Sequence, residues 1–131
     1  RKLNIIEDNS IDLICTHPPY ANIIKYSNNA LDDLSSLSFN NSVSEMNKVA
    51  EESYRVLKKS KICAIMMGDM RCKGNIVPLG FKVMNIFIEA GFNLKEIIIK
   101  EQHNCKSTYY WKDVKRDFLL IAHEYIFILN K

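Results

Sequence analysis

A chain of 131 residues, 47% hydrophobic and 25% charged, has the length of one ordinary domain and the composition of a soluble globular protein. No apolar run approaches the roughly 20 residues that span a bilayer, and Arg1 to Ser10 is polar and mixed in charge, unlike a signal peptide. Net charge is +3, and the excess lies in one place: Lys100 to Arg116 holds five basic residues against two acidic ones, while the rest is balanced.

In chain order, Ile11 to Cys15 is a short apolar run with Pro18 and Pro19 soon after, which predicts a buried strand with a hard stop. Tyr20 to Asn41 is rich in Asn, Ser and Asp and reads as a long loop, a kind that tends to be functional. Ser42 and Glu45 stand in a capping-box arrangement that predicts a helix start. Met46, Val49, Ala50, Ser53, Val56 and Leu57 then give one apolar stripe, with Lys58 and Lys59 in the last turn, where cations suit the dipole.

A second strand is predicted over Ile62 to Met67, ending at Gly68-Asp69. A second helix follows from about Pro78, with Leu79, Val83, Met84, Phe87 and Ile88 inward and Gly91 capping its end. Strands over Phe92 to Lys100 and Phe118 to Leu129 complete the chain. Alternation of this kind predicts an α/β fold in a single domain over residues 1–131, with a mostly parallel sheet and a terminal antiparallel hairpin.

Cys15, Cys63, Cys72 and Cys105 are scattered without a C-x-x-C pair, as expected of reduced thiols in the cytoplasm. A zinc site from Cys72, His103, Cys105 and His123 lacks the usual ligand spacing, so no metal is expected.

The residues that carry chemistry are Thr16-His17-Pro18-Pro19-Tyr20, directly after the first strand. Open parallel sheets bind ligands just outside the carboxyl ends of their strands. Prolines stiffen the backbone there and offer carbonyls without competing N–H donors, and Tyr20 can stack on a flat substrate. Pro-Pro-Tyr alone also occurs in ordinary turns; its placement is what gives it weight.

This block resembles the (Asp/Asn/Ser)-Pro-Pro-(Tyr/Phe/Trp) signature of the amino-methyltransferases that modify adenine N6 or cytosine N4 in DNA. The likeness extends through V-A-E-E-S-Y-R-V-L-K, G-D-M-R, V-P-L-G-F-K-V-M, E-A-G-F, Q-H-N-C-K-S-T and L-L-I-A-H-E-Y-I-F, and covers nearly the whole chain. It implies a partial Rossmann-like methyltransferase fold with strand order resembling 4-5-7-6 of seven, and S-adenosylmethionine as cofactor. It further implies that His17 and the Pro18 carbonyl hold the amine, that Pro19 and Tyr20 complete the catalytic block, and that Thr16, His17 and Asp69 border the cofactor. Asp69 has an equally plain alternative as a turn cap.

Two departures stand out. The position usually held by Asp, Asn or Ser is His17, whose neutral ring has one acceptor nitrogen and whose imidazolium has none. The family's glycine-rich cofactor loop and its ribose-binding acid have no counterpart. Half the cofactor pocket is therefore expected from elsewhere, in the same gene or a separate chain. The strand at Ile11 to Cys15 is expected to have an open edge, through which the chain pairs with that half or with itself, or which its own N-terminal residues cover. Arg1 in place of a methionine suits a processed product or a fragment.

DNA is the expected partner, in a restriction-modification setting, with its target base flipped out of the stack. Lys106, Lys112 and Lys115 would meet phosphates while Tyr109, Tyr110 and Trp111 stack on bases; the plain alternative is a solvated loop. His123, inside an apolar strand, reads as structural. Rival functions are methylation of RNA guanine N2 or of a protein glutamine, and a non-catalytic DNA-binding or assembly fragment.

Overall fold

The computed structural model describes residues 3–19, 39–72, 75–103, 115 and 117–131, the side chains of 39–44 and 72 excepted. The elements run β1 (Ile11–Thr16), α1 (Phe39–Val56), β2 (Leu57–Met67), β3 (Met70–Cys72), β4 (Asn75–Val77), α2 (Leu79–Glu89), β5 (Asn93–Glu101) and β6 (His123–Asn130). The main sheet has the order β1-β2-β6-β5, which is the expected 4-5-7-6 arrangement; β3 and β4 form a separate small hairpin.

The expectation of a mostly parallel sheet needs correction. Only β1 and β2 pair in parallel, whereas β2–β6 and β6–β5 are antiparallel. The cause is topological: β6 runs against the others and inserts between β2 and β5, so one reversed strand makes two of the three pairings antiparallel.

Both helices contribute to one core. Met46 and Ala50 of α1, and Val83, Ile86 and Phe87 of α2, close over Ile65, Met67, Phe127 and Leu129. The register sets Cys63 beside Leu129 and Ile65 beside Phe127, so alternate residues of two neighbouring strands face the helices together. Phe92 joins through ring contacts with Phe87 and Tyr54, at centroid distances of 5.6 and 5.1 Å. Each such side chain contributes about 1.5–3 kcal/mol by burial.

Several boundaries shift. α1 begins at Phe39, so Ser42 lies inside the helix and is not its cap. Leu57 already belongs to β2, and Lys58 and Lys59 lie in that strand rather than in a last helical turn. Lys58 instead reaches Asp12 at 2.9 Å. The β1–β2 register jumps from Ile11↔Leu57 to Leu13↔Ile62, with Ser60 at φ 61° between. In α2 the buried set is Leu79, Gly80, Val83, Ile86 and Phe87, with Ile88 turned outward. Gly91 takes φ 110° and donates to the Ile88 carbonyl, the left-handed close that favours glycine.

The strand at Ile11 to Cys15 is not buried: Leu13 is 60% exposed and Cys15 is exposed. It lies at the sheet's edge, and Leu13 and Cys15 face away from both helices. At the other edge β5 is exposed along its whole length, including Ile97, Ile98 and Ile99. Residues 3–10 fold back onto α1 through Arg55. Its guanidinium donates to both carboxylate oxygens of Glu52 at 3.0 Å, to Asp8, and to the carbonyls of Leu3 and Ile6.

Candidate functional site

β1 ends at Thr16, and His17, Pro18 and Pro19 lead out at its carboxyl end. Pro18 is buried and Pro19 half-buried, whereas the His17 side chain is 39% exposed. A backbone of fixed φ, packed at Pro18, holds the imidazole at the mouth of the sheet.

The residue facing His17 is Glu124. Its Oε1 lies 3.6 Å from His17 Nε2, an ion-pair distance rather than a full hydrogen bond, and its Oε2 accepts from Lys100 Nζ at 2.7 Å. The route is set by register. Lys100 and Glu124 are cross-strand partners on β5 and β6, and β2 pairs with β6 only as far as Met67↔Tyr125. Gly68 follows and carries no side chain, so a group on β6 can meet one leaving β1 across the end of β2. Glu124 is only 5% exposed. Burial opposes its ionisation, but hydrogen bonds from Lys100 and Gln102, the charge of Lys100 and, when protonated, that of His17 outweigh that and hold its carboxyl below the usual range. Sequence reasoning passed over Glu124; the available signal was a lone acid in an otherwise apolar terminal strand.

Asp69 makes the contacts of a cap. Its Oδ1 accepts the Gly80 N–H at 3.0 Å in the first turn of α2, and its Oδ2 accepts the Tyr125 hydroxyl at 3.4 Å. Pro78 at the N-cap offers no side-chain cap, so a carboxylate from the end of β2 supplies it. Burial, then the Asp69 charge and hydrogen bond, push the Tyr125 hydroxyl up. His123 Nε2 lies 3.1 Å from that hydroxyl, which fits its expected structural part.

Tyr20, Lys106, Tyr109, Tyr110, Trp111 and Lys112 lie outside the described residues. Lys115 is described and exposed. Lys100, counted by sequence with the basic segment, pairs with Glu124 at 2.7 Å. No helix among the described residues is long and apolar enough to cross a membrane.

Comparison with known proteins fits this geometry. The family profile described as DNA methylase, N6_N4_Mtase, matches residues 11–131. The chain is 32% identical over 126 residues to the orphan methyltransferase M.BamHII of Bacillus amyloliquefaciens, covering 96% of this chain but 40% of that protein. Among solved structures, the cytosine-N4-specific PvuII DNA methyltransferase matches with a TM-score of 0.74 at 19% identity, over 95% of this chain and 44% of the other. A candidate DNA modification methylase of Thermus thermophilus, complexed with S-adenosyl-L-methionine, matches with a TM-score of 0.69 at 20% identity. There the coverage is 96% of this chain and 47% of its own length. The chain thus spans under half the length of the relatives it matches.

Proposed function

We propose, from the premise that the chain belongs to the DNA methylase family, that it forms the catalytic half of an S-adenosylmethionine-dependent amino-methyltransferase acting on cytosine N4 or adenine N6 of DNA. The observation that carries this reading is the position of His17-Pro18-Pro19 at the carboxyl end of β1, with the His17 ring set against a buried carboxylate.

The cofactor fits this chain in part. The residues leaving β1 suit the reacting end. The carboxylate of Asp69 is engaged by Gly80 and Tyr125, and the sequence holds no glycine-rich loop for the adenosine. S-adenosylmethionine supplies an electrophilic methyl group on a sulfonium. A neutral His17 and the Pro18 carbonyl accept the two N–H bonds of the base's amine, so that the nitrogen lone pair leaves the ring system and is aimed at that methyl. The imidazole that accepts one N–H would take the proton that the amine sheds once it carries the methyl group. Thr16 borders the methyl donor, Asp69 fixes the pocket floor by capping α2, and Pro19 and Tyr20 hold the base.

The other half of the pocket comes from a polypeptide region carrying the glycine-rich loop, which joins at the open edge of β1; self-association there is the competing outcome. Lys106, Lys112 and Lys115 meet the DNA backbone, with Tyr109, Tyr110 and Trp111 beside the bases. Scattered thiols without a C-x-x-C pair suit the cytoplasm as the place of the reaction.

Tritiated methyl transfer onto DNA, RNA and protein tests this reading, with the chain alone and with a complementing glycine-loop half. Label in DNA only in the complemented reaction is expected. Label in RNA or protein instead, or none with a half that binds cofactor, overturns it.

A further inference from the structure

Beside the motif stands a three-membered charge arrangement in which the proposed chemistry gives the carboxylate and the lysine no part. His17 Nε2 faces Glu124 Oε1 at 3.6 Å, and Lys100 Nζ holds Glu124 Oε2 at 2.7 Å. The carboxylate is 7% exposed in its side chain, while His17 and Lys100 are 39% and 45% exposed. A buried carboxylate sits between two half-exposed basic groups contributed by three separate segments.

A histidine in the amine-binding position has a difficulty that Asp, Asn and Ser do not share. Neutral imidazole exists as two tautomers, and only the nitrogen without hydrogen accepts; imidazolium accepts nothing. A ring left to itself would present the wrong nitrogen part of the time. A carboxylate against Nε2 selects the form with hydrogen on Nε2 and the lone pair on Nδ1, because the opposite tautomer would set a lone pair against a negative charge. A lone buried carboxylate would carry a penalty of its own, since it also favours imidazolium. Lys100, on the adjacent strand and in register with Glu124, offsets that pull.

We infer that Glu124 is a positioning residue for His17: it fixes the imidazole in the Nε2–H tautomer, with Lys100 balancing its charge, and so presents Nδ1 as the acceptor. This rests on the methyltransferase reading for its purpose, but not for its test. Glu124 from β6 faces the ring, and Lys100 from β5 pairs with Glu124, with Gln102 also bonded to Glu124.

The experiment is 15N–1H correlation spectroscopy of the His17 ring in the 131-residue chain, near neutral pH, for the native protein, Glu124→Gln and Lys100→Met. Native protein is expected to show a single neutral tautomer protonated at Nε2. Glu124→Gln keeps the shape, so it spares the fold. Lys100 will take the amide oxygen as it takes Oε2, turning the NH2 toward the ring, and the Nδ1–H tautomer is expected to appear. Lys100→Met is expected to increase the imidazolium share. Native His17 found as imidazolium, or an unchanged Nε2–H tautomer in Glu124→Gln, overturns the inference. A tautomer that switches as expected, in a complemented enzyme whose turnover ignores His17→Ala, upholds the positioning and sinks the methyltransferase role of His17 instead.

Discussion

Asp69 and Gly80 are joined by a 3.0 Å hydrogen bond from the glycine amide to the carboxylate, which ties the end of β2 to the first turn of α2. Gly80 also sits so close to the sheet that an added Cβ would come within 2.8 Å of Tyr125 Cδ2 and 3.3 Å of the Met67 carbonyl. Gly80→Ala is therefore expected to destabilise the chain by about 1–3 kcal/mol through overpacking. Asp69→Ala should lower stability by about 1 kcal/mol through the lost cap. Urea denaturation midpoints measure both, and a neutral Gly80→Ala would show that Tyr125 swings aside.

Two described thiols should differ in reactivity. Burial, with a smaller effect of Cys15, pushes the Cys63 thiol up to about 12, whereas Cys15 is exposed on β1. Since the thiolate is the nucleophile, iodoacetamide at about pH 8 should label Cys15 and spare Cys63 in the folded chain. Peptide mass spectrometry resolves the two sites, and equal labelling would contradict the packing around Cys63.

Acid should loosen the chain in a definite window. Glu52 is brought down to about 2 by the Arg55 hydrogen bonds and the Leu3 amide, and Glu124 is also held below its ordinary value of 4.5. Both are lowered in the folded state, so their contribution is intact above pH 4.5 and fades as pH falls through the folded values. Stability should decline from pH 4.5 toward about 2, with amides of residues 3–10 exchanging first. Glu52→Gln should flatten that decline, and an unchanged profile in the variant would show that the Arg55 clamp is not its source.

The order of the helices and main-sheet strands, the apolar stripe of α1 and the turn at Gly91 were legible because each is written in local periodicity or a single backbone demand, whereas the short β3–β4 hairpin was not foreseen. What escaped was decided at a distance. No pattern inside His123 to Asn130 says that this strand enters between β2 and β5; the family resemblance supplied that place but not its consequence, that the insertion makes the sheet mostly antiparallel. It also brings Glu124 to His17, so the missed site residue and the misjudged sheet have one cause. Leu57 looked helical because its burial fits both periods, and β1 looked buried throughout because Ile11 and Ile14 do pack on the core, while Leu13 and Cys15 on its other face do not.

In the complemented enzyme, His17→Ala should reduce turnover by about 100-fold or more while DNA affinity changes little, since positioned acid–base groups contribute on that scale. His17→Asn and His17→Asp should retain part of the activity, because each offers an acceptor oxygen. Single-turnover methylation and a separate DNA-binding titration distinguish the two effects. Unaltered turnover in His17→Ala would remove the acceptor role.

Replacing Lys106, Lys112 and Lys115 together by Ala should weaken DNA binding and flatten its salt dependence. Each lost phosphate contact lowers the slope of log affinity against log salt by about 0.9. Titrations at several salt concentrations give that slope directly, and the same slope in the triple variant would place the DNA backbone elsewhere.

The central place of β6 in the order β1-β2-β6-β5 bears on how the chain is made. On the ribosome, domains tend to fold from the amino end as they emerge, at about 5–20 residues per second. Here β5 is synthesised before β6, its one partner in the sheet among the described residues, and β2 has only β1 to lean on. The isoleucine run at 97–99 must wait, uncovered, while 21 further residues separate the end of β5 from the start of β6. That interval is when a newly made chain is most exposed to wrong pairing, and the arrival of a single late strand ends it.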